Sequence, residues 1–286
     1  MTETAEWSVA QARTLTFDAP IDELDVRIVH GAVNVVGTDH PVSRVEITEV
    51  SGPPLIVRRE GSRLTVAYDD LPWKGFLKWL DRKGWRRTAV VSVSVPAAAR
   101  LHVGVVGASA VISGIAGPVD VRGVSGGSTL VGLTGAVHAD TVSGDIDAQA
   151  LTGELRFNSV SGTLTVIDSR GPLLRGESVS GDMVVDLAPG ERPAGLRLNT
   201  VSGEVAVRLP DPVDATIAAS TASGAISSAF TELRVGGMWG AKELSGTLGS
   251  GEGRVQCTTV SGSIALLRRP PAEYDTAAAS SLRKDV

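Results

Sequence analysis

Between residues 117 and 171 a glycine recurs at every ninth position: Gly117, Gly126, Gly135, Gly144, Gly153, Gly162 and Gly171. Alternate members close one phrase, at Val124-Ser125-Gly126, Val142-Ser143-Gly144 and Val160-Ser161-Gly162. The phrase returns at Val179-Ser180-Gly181, Val201-Ser202-Gly203, Ala222-Ser223-Gly224 and Val260-Ser261-Gly262. A Ser or Thr usually precedes it, as at Thr141, Ser159, Ser178, Thr200, Thr221 and Thr259, and the interleaved glycines close Leu133-Thr134-Gly135 and Leu151-Thr152-Gly153. The unit is therefore 18 to 22 residues long and built from two similar halves. Self-similarity at such a period calls for a stack of like turns rather than an ordinary globular core.

The segments between glycines are rich in Val, Ile, Leu and Thr and alternate over short runs, as in Gly153-Glu154-Leu155-Arg156-Phe157, which is the pattern of strands. Nine residues hold one short strand and a corner. The expected fold is all-β: a parallel β-solenoid of 18–22-residue rungs, each lying about 4.8 Å from the last. On this reading Val142, Val160, Val179 and Val201 stack inward as an aliphatic ladder, and Ser143, Ser161, Ser180 and Ser202 form a hydroxyl ladder beside it. Gly144, Gly162, Gly181 and Gly203 supply the positive φ of a tight corner.

Residues 1–11 are expected to be a disordered N-terminus. Residues 12–103 read as an irregular β portion that starts or caps the stack, residues 104–269 as the solenoid, and residues 270–286 as a disordered tail poor in apolar content. The segment 69–87 breaks the pattern. Asp70 can cap a helix with Pro72 in its first turn, and Trp73, Phe76, Leu77 and Leu80 then form one apolar stripe. The spacing predicts one short amphipathic helix. Its Trp73, Lys74, Phe76, Lys78, Trp79, Arg82, Lys83 and Trp85 are candidates for docking to an anionic membrane or a protein partner, with packing over the first rung as the plain alternative.

Composition supports a narrow interior: 42% of residues are hydrophobic but only 4% are aromatic. A net charge of −5 gives no reason to expect a nucleic-acid partner. The single Cys257 leaves no internal disulfide. The sequence opens without a basic, apolar leader, and no run approaches the roughly 18 apolar residues of a membrane span. The expected location is the cytoplasm, with or without attachment to a membrane.

The recurring [Ser/Thr]-Val-Ser-Gly-[Asp/Glu] phrase, as in Thr141 to Asp145, Ser178 to Asp182 and Thr200 to Glu204, resembles a large bacterial family of putative adhesins with β-strand repeats. These are domains of unknown function, and related modules are called toastrack domains. The likeness runs from about residue 20 to residue 268. It implies a noncatalytic β-solenoid scaffold or interaction module, with some relatives placed beside membrane modules in envelope-stress systems.

Few residues suggest chemistry. Gly123-Val124-Ser125-Gly126-Gly127 matches a hydrolase nucleophile motif, but that motif needs a helix after it, and Ser125 is one copy of a serine repeated at every rung. Acids after glycine are scattered, unlike calcium-binding repeats. His30, His40, His102 and His138 lack metal spacing and read as surface or strand-end residues. No cofactor is expected. The alternative function is a polysaccharide-binding or polysaccharide-active solenoid. Three or more converging acidic or basic residues on one face would overturn the noncatalytic reading, whereas bare hydroxyl ladders would favour the scaffold. Association with a second copy through the solenoid edges is a further option.

Overall fold

The computed structural model describes residues 4–69, 86–190, 195–237 and 240–270. Among these residues every regular element is a β-strand, and they form one sheet of fourteen strands and one of twelve. Strand Val119–Gly123 lies in the larger sheet, the chain turns a corner, and Ser128–Val131 lies in the smaller one. A second corner at Leu133-Thr134-Gly135 returns the chain to Val137–Thr141, which pairs parallel with Val119–Gly123 in the register Val119↔Val137. The smaller sheet advances by the same step, Ser128↔Ile146. Residues one sequence period apart therefore lie side by side, and each strand's crossover is the other half of its own turn.

Alternation along each strand sends every second side chain inward. In the larger sheet one inward file runs Val103, Val121, Ala139, Phe157, Gly176, Leu198. In the smaller sheet Ile112, Leu130, Ala148, Val166, Val185 and Val207 correspond. Both files belong to one continuous core. Phe157, 1% exposed, has the two smallest residues, Ala139 and Gly176, as its register neighbours.

The Val-Ser-Gly corners differ from the expected ladder in two respects. The valines face outward: Val160, Val179 and Val201 are 50%, 51% and 47% exposed, and Val142 is half-buried. The cause is strand parity. Val137, Ala139 and Thr141 point inward, so His138, Asp140 and Val142 must point out. The serines do recur at one place per turn, but each is committed to the turn beneath. Ser143, Ser161, Ser180 and Ser202 donate their hydroxyls to the carbonyls of Val124, Val142, Val160 and Val179 at 3.0–3.4 Å. Ser125 does the same to Val106 at 3.1 Å.

Nor do the corner glycines adopt positive φ; none of Gly144, Gly162, Gly181 and Gly203 does so. A β-carbon placed on Gly162 would lie 2.1 Å from the carbonyl oxygen of Gly144, and one on Gly181 would lie 2.0 Å from that of Gly162. Close approach of stacked backbones, not a left-handed turn, requires glycine here.

The Ser or Thr three residues before the glycine closes the corner from inside. The amides of Gly162, Gly181, Gly203 and Gly262 donate to Ser159, Ser178, Thr200 and Thr259 at 2.7–3.2 Å. Thr200→Val is expected to cost about 1–3 kcal/mol, because it strands the buried Gly203 amide. Thr200→Ser should retain most of the stability in urea denaturation; equal losses in the two variants would remove the acceptor from the account.

Both ends depart from simple stacking. Thr4–Val9, within the stretch expected to be disordered, is a strand pairing antiparallel with Leu55–Glu60. Its alternate residues Trp7 and Val9 pack inward against the core, Trp7 edge-on to Phe17 at 5.4 Å, and that burial orders it. Glu23–Ile28 and His30–Thr38 already lie parallel and in register on Arg100–Val105 and Ser109–Ser113, so the stack continues into the N-terminal portion.

At the other end the spatial order is not the chain order. Gly253–Thr259 and Ile264–Arg268 insert between the turn of Gly195–Asn199 and Val205–Leu209 and that of Ala215–Thr221 and Ile226–Ser228. The inserted turn has a neighbour on both sides, whereas Ala215–Thr221 is covered by the antiparallel Lys242–Leu248, which closes an otherwise open edge. Arg269 consequently reaches back to Asp168 at 3.3 Å and to the carbonyl of Leu187 at 3.3 Å. The predicted helix, and all eight docking candidates from Trp73 to Trp85, lie outside the described residues, as does the tail beyond Pro270.

Candidate functional site

The outer face of the larger sheet carries the chemistry. Parity sends out one residue per strand in each register file, and the first file runs Asp25, His102, Asp120, His138, Arg156. The second, two residues further along each strand, runs Arg27, Gly104, Arg122, Asp140, Asn158. Beside the first file, Pro118 and Ala136 have short side chains, and their carbonyls are bonded by Leu101 and Val119. A groove of about 490 Å³ runs along this file, lined by these two and by Arg100, His102, Asp120, His138, Glu154 and Arg156.

Within the groove acid alternates with base. His102 places Nε2 3.4 Å from Glu23 and Nδ1 3.8 Å from Asp120, and Arg122 approaches Asp120 at 3.4 Å. His138 Nε2 lies 3.1 Å from Asp140, whose other oxygen accepts from Asn158 Nδ2 at 2.9 Å. Asp25 is paired with Arg27 at 3.1 Å, and Glu23 with Arg63. Burial pushes the Asp25 carboxyl above the usual value, outweighing Arg27, His102 and Arg63. Burial acts the same way on Asp120, but the neighbouring His102 and the nearby Arg122 and His138 prevail and hold it below the usual value.

Ser125, the hydrolase-motif serine, donates to a backbone carbonyl at a corner. Among the described residues no three His, Cys, Asp or Glu side chains converge in the manner of a metal centre. Cys257 is fully buried, and burial pushes its thiol up to about 12.

His102 and His138, read as surface or strand-end residues, lie on the outward face of the sheet, and the fold makes them neighbours of Asp120 and Arg156. Their signal was present in the spacing. Residues 102, 120, 138 and 156 are 18 apart, as are 104, 122, 140 and 158. One turn of the stack superposes each set.

No protein-family model matches the chain, and no curated protein matches it. Solved structures similar to it include a putative adhesin from Bacteroides fragilis NCTC 9343, at 11% identity over 91% of this chain and 99% of that one, with a TM-score of 0.45. A putative lipid binding protein from Parabacteroides distasonis ATCC 8503 matches at 15% identity over 91% and 98%, with a TM-score of 0.43. A putative cell adhesion protein from Clostridium sporogenes ATCC 15579 matches at 11% identity over 94% and 100%, with a TM-score of 0.26.

Proposed function

We propose that the protein is an elongated parallel β-solenoid of the putative-adhesin type, acting as a noncatalytic interaction module through the outer face of its larger sheet. One observation carries this reading: each 18-residue turn presents one ionisable side chain at the same place, so the face displays an ordered polar array on the stack. His102, Asp120 and His138 each lie beside an oppositely charged partner on the same face, Glu23, Arg122 and Asp140 respectively, and the corner serines are held by backbone carbonyls. Both features suit recognition by a preorganised surface.

A second reading has a specific observation in its favour. His102, Asp120 and His138, side by side on successive strands, line one groove together with Glu154, and a groove lined by acids and bases is what a polysaccharide-active protein would use. The two readings separate by incubating the full chain with neutral polysaccharides, acidic polysaccharides, and vesicles of neutral and anionic lipid. Binding and new reducing ends are measured together. The interaction module predicts binding of one probe without turnover, weakened by Asp120→Asn or His138→Gln. Reducing ends that vanish in either variant would instead establish an enzyme.

A further inference from the structure

The alternation of charge in the first outward file stops at Arg156. From there the register sets Arg156 opposite Arg175 and Arg175 opposite Arg197, three arginines on adjacent strands of a protein with net charge −5. All three are exposed, and among the described residues none has a carboxylate within the 4.0 Å of an ion pair. Like charges directly opposite one another across a sheet are destabilising. The neighbouring file offers Asn158, Glu177 and Asn199, two amides and one acid. Arg254, opposite Gly195 and diagonal to Arg197, extends the positive run by a further strand.

We propose that Arg156, Arg175 and Arg197 form a single-file track for a linear acidic polysaccharide carrying one carboxylate per sugar. This rests on the interaction-module reading and names its ligand class. Adjacent strands are about 4.8 Å apart, so the file repeats one guanidinium at a spacing close to the length of one sugar ring, and a chain laid across the strands can bring more than one of its carboxylates to the file. Guanidinium binds carboxylate bidentately. Asn199 in the neighbouring file adds an amide donor and acceptor beside Arg197, and the groove continues the path from Arg156. A lipid headgroup layer has no repeat at the strand spacing, and a single sugar acid engages only one of the three sites, without the gain of linked contacts.

The test is calorimetric titration of the full chain with polygalacturonate, galacturonate monomer, neutral dextran and phosphatidylglycerol vesicles, at low and high salt. Polygalacturonate should bind, weaken with salt, and lose roughly tenfold in affinity for each Arg→Gln change along the track. Monomer and dextran should not bind measurably, and Arg175→Lys should retain part of the affinity. Without ligand, Arg175→Gln should raise the melting temperature at low salt, because it relieves repulsion; a lowered value would make Arg175 a structural residue and overturn the track. Polygalacturonate binding that is absent, or indifferent to the combined R156Q, R175Q and R197Q variant, would also overturn it. Equal binding of the vesicles through the same arginines would overturn the ligand class and leave the interaction module standing. New reducing ends would keep the track as a substrate cleft and overturn the noncatalytic reading.

Discussion

Gly162→Ala is expected to destabilise the protein by about 3 kcal/mol, the upper end of overpacking costs. The added carbon would sit 2.1 Å from the carbonyl oxygen of Gly144, and that obstacle is backbone, which no rotamer change can clear. The two turns would have to part. Parting them stretches the Ser161 amide bond to Val142, now 2.9 Å, and the Ser161 hydroxyl bond to the same carbonyl, now 3.3 Å. Gly132 is the comparator, since it has φ +62 and nothing within 4 Å of an added carbon. Gly132→Ala therefore meets only the backbone penalty, about 1–2 kcal/mol. Urea denaturation should rank the pair in that order. Amide exchange should show the Gly162→Ala loss centred on the turns of Gly144 and Gly162, because stacked turns can open locally. If Gly162→Ala costs no more than Gly132→Ala, close approach is not why these glycines recur.

Phe157→Ala is expected to cost about 3–5 kcal/mol. The ring is 1% exposed and fills room left by Ala139 and Gly176 on the adjacent strands. Its loss would leave those two facing a void. Gly176 is filled from other directions as well, since a β-carbon there would meet Met183 Sδ at 2.7 Å and Leu198 Cδ2 at 2.9 Å. Volume is thus conserved across neighbouring turns rather than within one, and a narrow interior admits a ring only where both neighbours are small. Phe157→Leu, which keeps most of the volume, should lose much less. A cost below about 1 kcal/mol for Phe157→Ala would mean that the turns repack freely around the gap.

The groove was legible in part. The 18-residue spacing of His102, Asp120, His138 and Arg156 places them in one file as soon as the turns are known to be parallel and in register. Read singly, each looks like an isolated surface residue. The outward valines were legible too, because Val142 shares its parity with His138 and Asp140, and in a half-buried strand parity outranks hydrophobicity. Arg175 and Arg197 were harder. They lie 19 and 22 residues beyond their predecessors, since the corners between those strands vary in length, and only the paired backbones show that the file is unbroken.

By itself the sequence determined that the described residues form β-strands, that their turns repeat every 18 to 22 residues, and that glycine recurs at most of the corners. These are local matters of alternation, propensity and period. Tertiary structure alone decided that the corner glycines answer to a neighbouring carbonyl rather than to φ. It also decided that residues 253–268 slip between two earlier turns. Any turn with the same corner can lie on any other, so the repeat does not encode their order. That order is chosen where the antiparallel Lys242–Leu248 covers the last edge and Arg269 reaches Asp168, through contacts between residues far apart in the chain.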